Sequence, residues 1–308
     1  MPMKAALAAG ALVVAGGLVF WLASAPGTLP AEALAGLEDG DAARGERVFW
    51  AGGCASCHAA EDAEGEARLR LGGGLRLETP FGDFVAPNIS PHADGIGGWS
   101  DEAFANAMLR GVSPDGRHYY PSFPYTSYAR MRPQDVVDLH AFMQTLPAVE
   151  GETDGHALGF PYAFRRGIGL WKRLNMHPGP VVALGDGDEA VARGRYLVEG
   201  PGHCGECHTP RDGFGGLDLA NWLAGAAAAE GDGVVPNITP SEDGLAGWSA
   251  ADIAYYLESG FTPSFDTVGG AMVAVQENMA ELPAEDRQAI AAYLKAIPGR
   301  PDGHRPAP

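Results

Sequence analysis

Two five-residue units limit what this chain can become more than any other feature. Cys54-Ala55-Ser56-Cys57-His58 and Cys204-Gly205-Glu206-Cys207-His208 hold all four cysteines of the 308 residues and stand 150 positions apart. The sequence around them repeats. Arg44-Gly45 precedes the first unit and Arg193-Gly194 the second; Pro87-Asn88-Ile89-Ser90-Pro91 follows one and Pro236-Asn237-Ile238-Thr239-Pro240 the other. Gly98-Trp99-Ser100 and Gly247-Trp248-Ser249 come next, and each half closes with an amphipathic segment, Pro133–Leu146 and Pro283–Ile297. Four landmarks in one order mean a duplicated unit. The length suits two units of about 100–150 residues.

The periodicity is helical, so the expected fold class is mainly α. Asp41, Ser100 and Ser249 are N-cap candidates, and Ser249-Ala250-Ala251-Asp252 has capping-box spacing. Val136, Leu139, Met143 and Leu146 form one apolar stripe; Ile290, Tyr293, Leu294 and Ile297 form another. Pro133 and Pro283 sit where a first-turn proline is tolerated. No set of alternating strands stands out, although 44 glycines and 24 prolines imply many turns. The expected layout is an N-terminal segment (1–26), a tether (27–40), a first domain (41–148), a connector (149–185), a second domain (186–300) and a tail (301–308). The aromatic and basic stretch Phe160–Leu174 is expected to pack on a domain.

Two thiols separated by two residues can meet the two vinyl groups of one haem, and the histidine that follows is placed to ligate the iron. Half a zinc site or a redox dithiol shares only the Cys-x-x-Cys part. With 147 positions between Cys57 and Cys204, the four thiols do not read as one zinc knuckle pair. The expectation is therefore two covalently attached haem c groups. Cys54, Cys57 and His58 hold the first; Cys204, Cys207 and His208 hold the second. The other histidines read as solvent or structural groups, with His203 beside Cys204 the one placed to touch the haem edge or the surface.

The second axial ligand is expected from the loop before each last helix. Met131 precedes Pro133 directly. In the second half Leu282 takes that place, so the ligand comes from further upstream, Met272 after a flexible Gly269-Gly270 turn or Met279. Met272 is the first choice. Unlike distal sides imply unlike potentials. Trp99 and Trp248 are candidates to reach a propionate, and Asn88 and Asn237 to fix the loop beside the haem.

Ala5–Leu22 is an unbroken apolar or small run after Lys4. It is long for a signal core and short for a spanning helix. Ala23-Ser24-Ala25 resembles a cleavage site, but Pro26 disfavours the cut, and Phe20 and Trp21 suit a membrane interface. A retained anchor is expected, with a cleaved signal as the alternative. Either way the bulk is exported: at the periplasmic side of the inner membrane, or soluble in the periplasm if cleaved. A net charge of −18 argues against nucleic acid and for a partner with a basic docking patch.

With Pro87–Ser90, Gly98-Trp99-Ser100, Gly111–His118, Tyr120–Tyr125 and their second-half counterparts in hand, the chain resembles the cytochrome c subunits of membrane-bound bacterial alcohol and gluconate dehydrogenases. The resemblance runs from about residue 40 to 300. It implies tandem class I cytochrome c domains, His/Met ligation and electron acceptance in the periplasm. Two departures stand out. Those subunits typically carry three haem sites, and this chain has two; Phe123 stands where relatives often have Met. The function expected is electron transfer from a periplasmic dehydrogenase or other donor to a respiratory-chain acceptor, without a substrate reaction of its own. The rival is a di-haem redox enzyme, peroxidase-like or thiosulfate-oxidising, which needs an open iron position.

Overall fold

In the computed structural model, residues 2–185, 187–228 and 233–303 are described. The expected tail lies partly outside them. The chain is mainly helical. A long apolar helix, α1 (Pro2–Ala23), stands first. Its stretch Met3–Ala23 is long and apolar enough to cross a membrane.

The first repeat holds α2 (Ala42–Ala51), α3 (Cys54–His58), α4 (Asp101–Arg110), α5 (Tyr125–Tyr128) and α6 (Pro133–Met143). Then comes α7 (Ile168–Asn175). The second repeat holds α8 (Glu189–Glu199), α9 (Gly205–His208), α10 (Ala250–Ser259), α11 (Met272–Ala280) and α12 (Ala284–Ala296).

Local chemistry sets these helices. The Asp41 carboxylate accepts from the Arg44 amide at 2.9 Å and starts α2. Ser100 caps α4, and Ser249 forms a full capping box with Asp252 on α10. Pro133 sits in the first turn of α6, whereas Pro283 is the N-cap of α12, one place earlier than expected.

Packing follows the duplication. α2 crosses α6, and α8 crosses α12. Gly45 and Gly194 lie at these crossings: a Cβ there would stand 1.9 Å from the Asp138 carbonyl and 1.8 Å from the Ala289 carbonyl. Only a missing side chain allows the two backbones so close. One apolar cluster runs through both halves, from Phe49 and Leu139 to Leu197 and Tyr293.

Short strands occur that the sequence pattern did not disclose. β1 (Arg76–Thr79) and β2 (Gly82–Val85) pair antiparallel, Arg76 opposite Val85, and β3 (Ala157–Leu158) joins β2. β4 (Ala226–Ala227) and β5 (Val234–Val235) form a smaller counterpart. They are too brief to show an alternating period.

Residues 27–40 lie along the first repeat: the Leu29 amide donates to Asn106 Oδ1 at 2.7 Å, and the Glu38 amide to Gln134 Oε1 at 2.9 Å. The aromatic and basic stretch packs on the same repeat. Arg165 donates to the His118 carbonyl at 3.0 Å, and Lys172 Nζ to the Gly111 carbonyl at 2.6 Å.

Candidate functional site

Each Cys-x-x-Cys-His unit is a single helical turn. Gly53, in left-handed backbone at φ 58°, breaks the chain out of α2 so that α3 starts in a new direction. The second unit turns on His203, also at positive φ, 38°. After each turn the chain repeats the same bonds. The Gly73 amide donates to the His58 carbonyl and the Gly225 amide to the His208 carbonyl, both at 2.8 Å.

The histidines are held alike. His58 Nδ1 lies 2.8 Å from the Pro87 carbonyl, and His208 Nδ1 lies 2.8 Å from the Pro236 carbonyl. A carbonyl can only accept, so Nδ1 carries the proton and Nε2 keeps its lone pair. Burial lowers the pKa of both imidazoles against the opposing carbonyl bond, which keeps them neutral. The loops that supply these carbonyls are braced. Asn88 donates to the Val149 and Gly151 carbonyls at 2.8 and 2.9 Å and accepts from the Ser90 amide. Asn237 donates to the Arg300 carbonyl at 2.9 Å and accepts from the Thr239 amide. The repeated Pro-Asn-Ile motif is thus a seat for the histidine.

Cys54 and Cys204 are set unlike the reactive thiol of a dithiol oxidoreductase. Burial, with Cys57 and Cys207 beside them, pushes the Cys54 and Cys204 thiols up to about 12. A dithiol oxidoreductase needs the opposite shift. Among the described residues no group of three or more His, Cys, Asp or Glu side chains converges as a metal clasp. A haem c takes two thioethers at its edge and one imidazole at its iron, so the three groups of such a unit stand apart. That separation fits a haem bound by two thioethers and one histidine; the Nδ1–carbonyl bond is the outer contact such a ligand requires.

On the candidate distal side, Met131 is buried and packs in the shared core, like Leu282 at the matching position. Met272 is half-buried at the first residue of α11, and Met279 is buried further along the same helix. Phe123 stacks edge-on against Tyr128 at 5.6 Å. Trp99 and Trp248 are half-buried against the core.

Several residues were invisible to sequence reasoning because the fold brings them to the units from far away. Tyr128 is buried close enough to Cys54 and Cys57 to feel their charge; burial first, then those thiols, raises its hydroxyl pKa. Trp222 packs against Gly205, where a Cβ would be 2.1 Å from the indole. Its N–H donates to Tyr293 Oη at 3.2 Å, and that hydroxyl donates to the buried Glu199 at 2.6 Å.

Each unit also meets the opposite repeat. Ser56 and Glu206 are their third residues. Asn278 on α11 donates to Ser56 Oγ at 2.7 Å, and Thr126 and Ser127 on α5 donate to Glu206 at 2.8 and 2.9 Å. Ser127 and Asn278 each stand four residues before the Met131/Leu282 position, so the contacts correspond under exchange of the repeats. His203 Nε2 lies 3.2 Å from the Gly52 carbonyl, and its ring meets Tyr128. Further out, Arg47 donates to Asp286 at 2.5 Å and Tyr196 hydrogen-bonds Asp135, again corresponding positions.

A cytochrome c family model matches residues 42–147. A di-haem c-type cytochrome of Cereibacter sphaeroides is 56% identical over 299 residues, 96% of this chain and 99% of that protein. The cytochrome c subunit of a quinone alcohol dehydrogenase of Gluconobacter oxydans is 35% identical over 272 residues, 84% of this chain and 55% of its own. A fructose dehydrogenase cytochrome subunit of Gluconobacter japonicus is 34% identical over 261 residues, 83% of this chain and 52% of its own. The chain thus spans nearly all of the first relative and about half the length of the other two.

Proposed function

The chain belongs to the cytochrome c family, and on that premise we propose that it carries two covalently attached haem c groups and passes electrons between partner proteins. Cys54 and Cys57 attach the first and Cys204 and Cys207 the second. His58 and His208 are the proximal ligands, with Met131 and Met272 opposite them. The observation that carries this reading is the pair of 2.8 Å contacts from the motif histidines to the Pro87 and Pro236 carbonyls. They orient both Nε2 atoms and leave them unprotonated.

The haem supplies one-electron chemistry when bound. The protein holds its ligands rigid. Loops anchored by the buried Asn88 and Asn237 fix each imidazole, and the shared apolar core packs against Cys54 and Cys204. Each unit is tied to the opposite repeat, Ser56 to Asn278 on α11 and Glu206 to Ser127 on α5, which holds both in one body. No side chain is called on to move a proton at a substrate.

The donor is a dehydrogenase at the periplasmic face and the acceptor a respiratory component, with α1 retained as a membrane anchor. Cytochrome subunits of dehydrogenases among the relatives support the donor, and the length and hydropathy of α1 support the anchor.

The test is the intact mass of the chain under denaturing conditions together with its reduced spectrum. Two haem masses on the full chain, one on Cys54→Ala/Cys57→Ala, and none when Cys204→Ala/Cys207→Ala is added would be the expected series. An unmodified chain made with the haem-attachment machinery present would sink the proposal.

A further inference from the structure

The segment after the first repeat has an unusual surface. Phe160 is 94% exposed and Leu174 75%, and Tyr162, Phe164 and Leu170 between them are also exposed. Phe214 joins them from the second repeat, its carbonyl accepting from Trp171 Nε1 at 2.9 Å. No acidic residue occurs between Asp154 and Asp186, while Arg165, Arg166, Lys172 and Arg173 do, in a chain of net charge −18. Lys172 is used inside, on the Arg110 and Gly111 carbonyls; Arg173 is exposed and Arg166 half-exposed.

This surface is built onto the end of α1. A helix leaves its last carbonyls without partners. Here Arg166 donates to the Trp21 carbonyl at 2.5 Å, Arg173 to the Ala23 carbonyl at 2.6 Å, and His118 Nε2 lies 2.9 Å from the Ser24 carbonyl. Gly169 admits that last carbonyl, which would stand 2.3 Å from a Cβ. Phe164 stacks on Phe20 at 5.8 Å, and the Arg166 guanidinium sits 3.9 Å over the Trp21 ring. Whatever surrounds Phe20 and Trp21 must also reach Phe164 and Arg166.

We propose that residues 160–174 form a collar that seats in the bilayer surface around the exit of α1, with Phe160, Tyr162, Phe164 and Leu174 at acyl-chain depth and Arg166 and Arg173 on anionic phospholipid headgroups. Aromatic residues and arginine are the side chains that suit this zone. The collar rests on the reading of α1 as a retained anchor. It fixes the body at a set height and tilt over the membrane instead of leaving it on a swivel.

The full-length haem-loaded protein in phospholipid nanodiscs tests this with a photoactivatable lipid probe and mass mapping of labelled peptides. In phosphatidylglycerol discs, labelling of 160–174 should exceed that of the exposed loop at Phe265 several-fold. It should fall roughly three-fold or more in phosphatidylcholine discs. Phe160→Ser/Leu174→Ser, at exposed positions, should lose connector labelling while α1 labelling and the haem spectrum stay unchanged. Labelling of α1 with none on 160–174 would overturn the collar alone and leave that surface to a protein partner. Equal labelling in both lipids, or an unaffected double variant, would also overturn it. An unlabelled α1 would overturn the anchor reading itself.

Discussion

His58 and His208 show how much a single side chain can disclose. Their place after Cys-x-x-Cys was legible because the covalent attachment proposed above would fix residue spacing along the chain. Their Nδ1 partners were not, since backbone carbonyls 29 and 28 residues away have no sequence signature. Asn88 is the residue through which that contact can be perturbed. Asn88→Ala removes two donated bonds and one accepted bond, costing roughly 1–3 kcal/mol for the groups left buried. The midpoint potential of the first centre is expected to move while the second stays in place, as a redox titration resolving both would show. The methionines separate by their packing. Met279→Ala opens a core cavity worth about 2–5 kcal/mol and should spare the Met–iron charge-transfer band. Met272→Ala at the half-buried start of α11 should abolish that band for one centre. The reverse outcome would reassign the ligand.

At the scale of elements, helices were readable wherever a cap and an apolar stripe coincided, as at Asp41, Ser100 and Ser249. The two- to four-residue strands were not, for lack of length. Gly45 and Gly194 were conspicuous in the sequence as parts of a repeat, and the structure gives the reason: each lets a first helix touch a last helix backbone to backbone. Gly194→Ala should force α8 and α12 apart. Overpacking of this kind costs about 1–3 kcal/mol, less whatever the alanine gains in helix propensity. A lowered chemical-denaturation midpoint with both haems still attached is the expected result; an unchanged midpoint would mean the crossing relaxes freely.

The duplication was plain in the sequence, but how the copies pair was not, because pairing depends on residues with no common pattern. Asp286 is fully buried at that junction and takes Arg193 at 2.7 Å as well as Arg47 at 2.5 Å. Burial alone would raise its pKa; the two arginines overcome that and hold the carboxyl below the usual range. A depressed carboxylate pKa stabilises the fold above its unfolded value, about 4, and the gain disappears as pH falls through the folded value. Asp286→Asn should therefore cost roughly 1.5–3 kcal/mol near neutrality. The difference from the parent protein should shrink toward pH 3, as denaturant melts at the two pH values would report. The contacts across the junction have a further consequence. In a true homodimer one sequence must serve both sides of the axis, so Ser56 could not face Asn278 on one side while Glu206 faces Ser127 on the other. Joining the copies in a single polypeptide lifts that identity constraint. Each half is then free to differ from the other, so the two proposed haem sites can take unlike surroundings without either losing its partner.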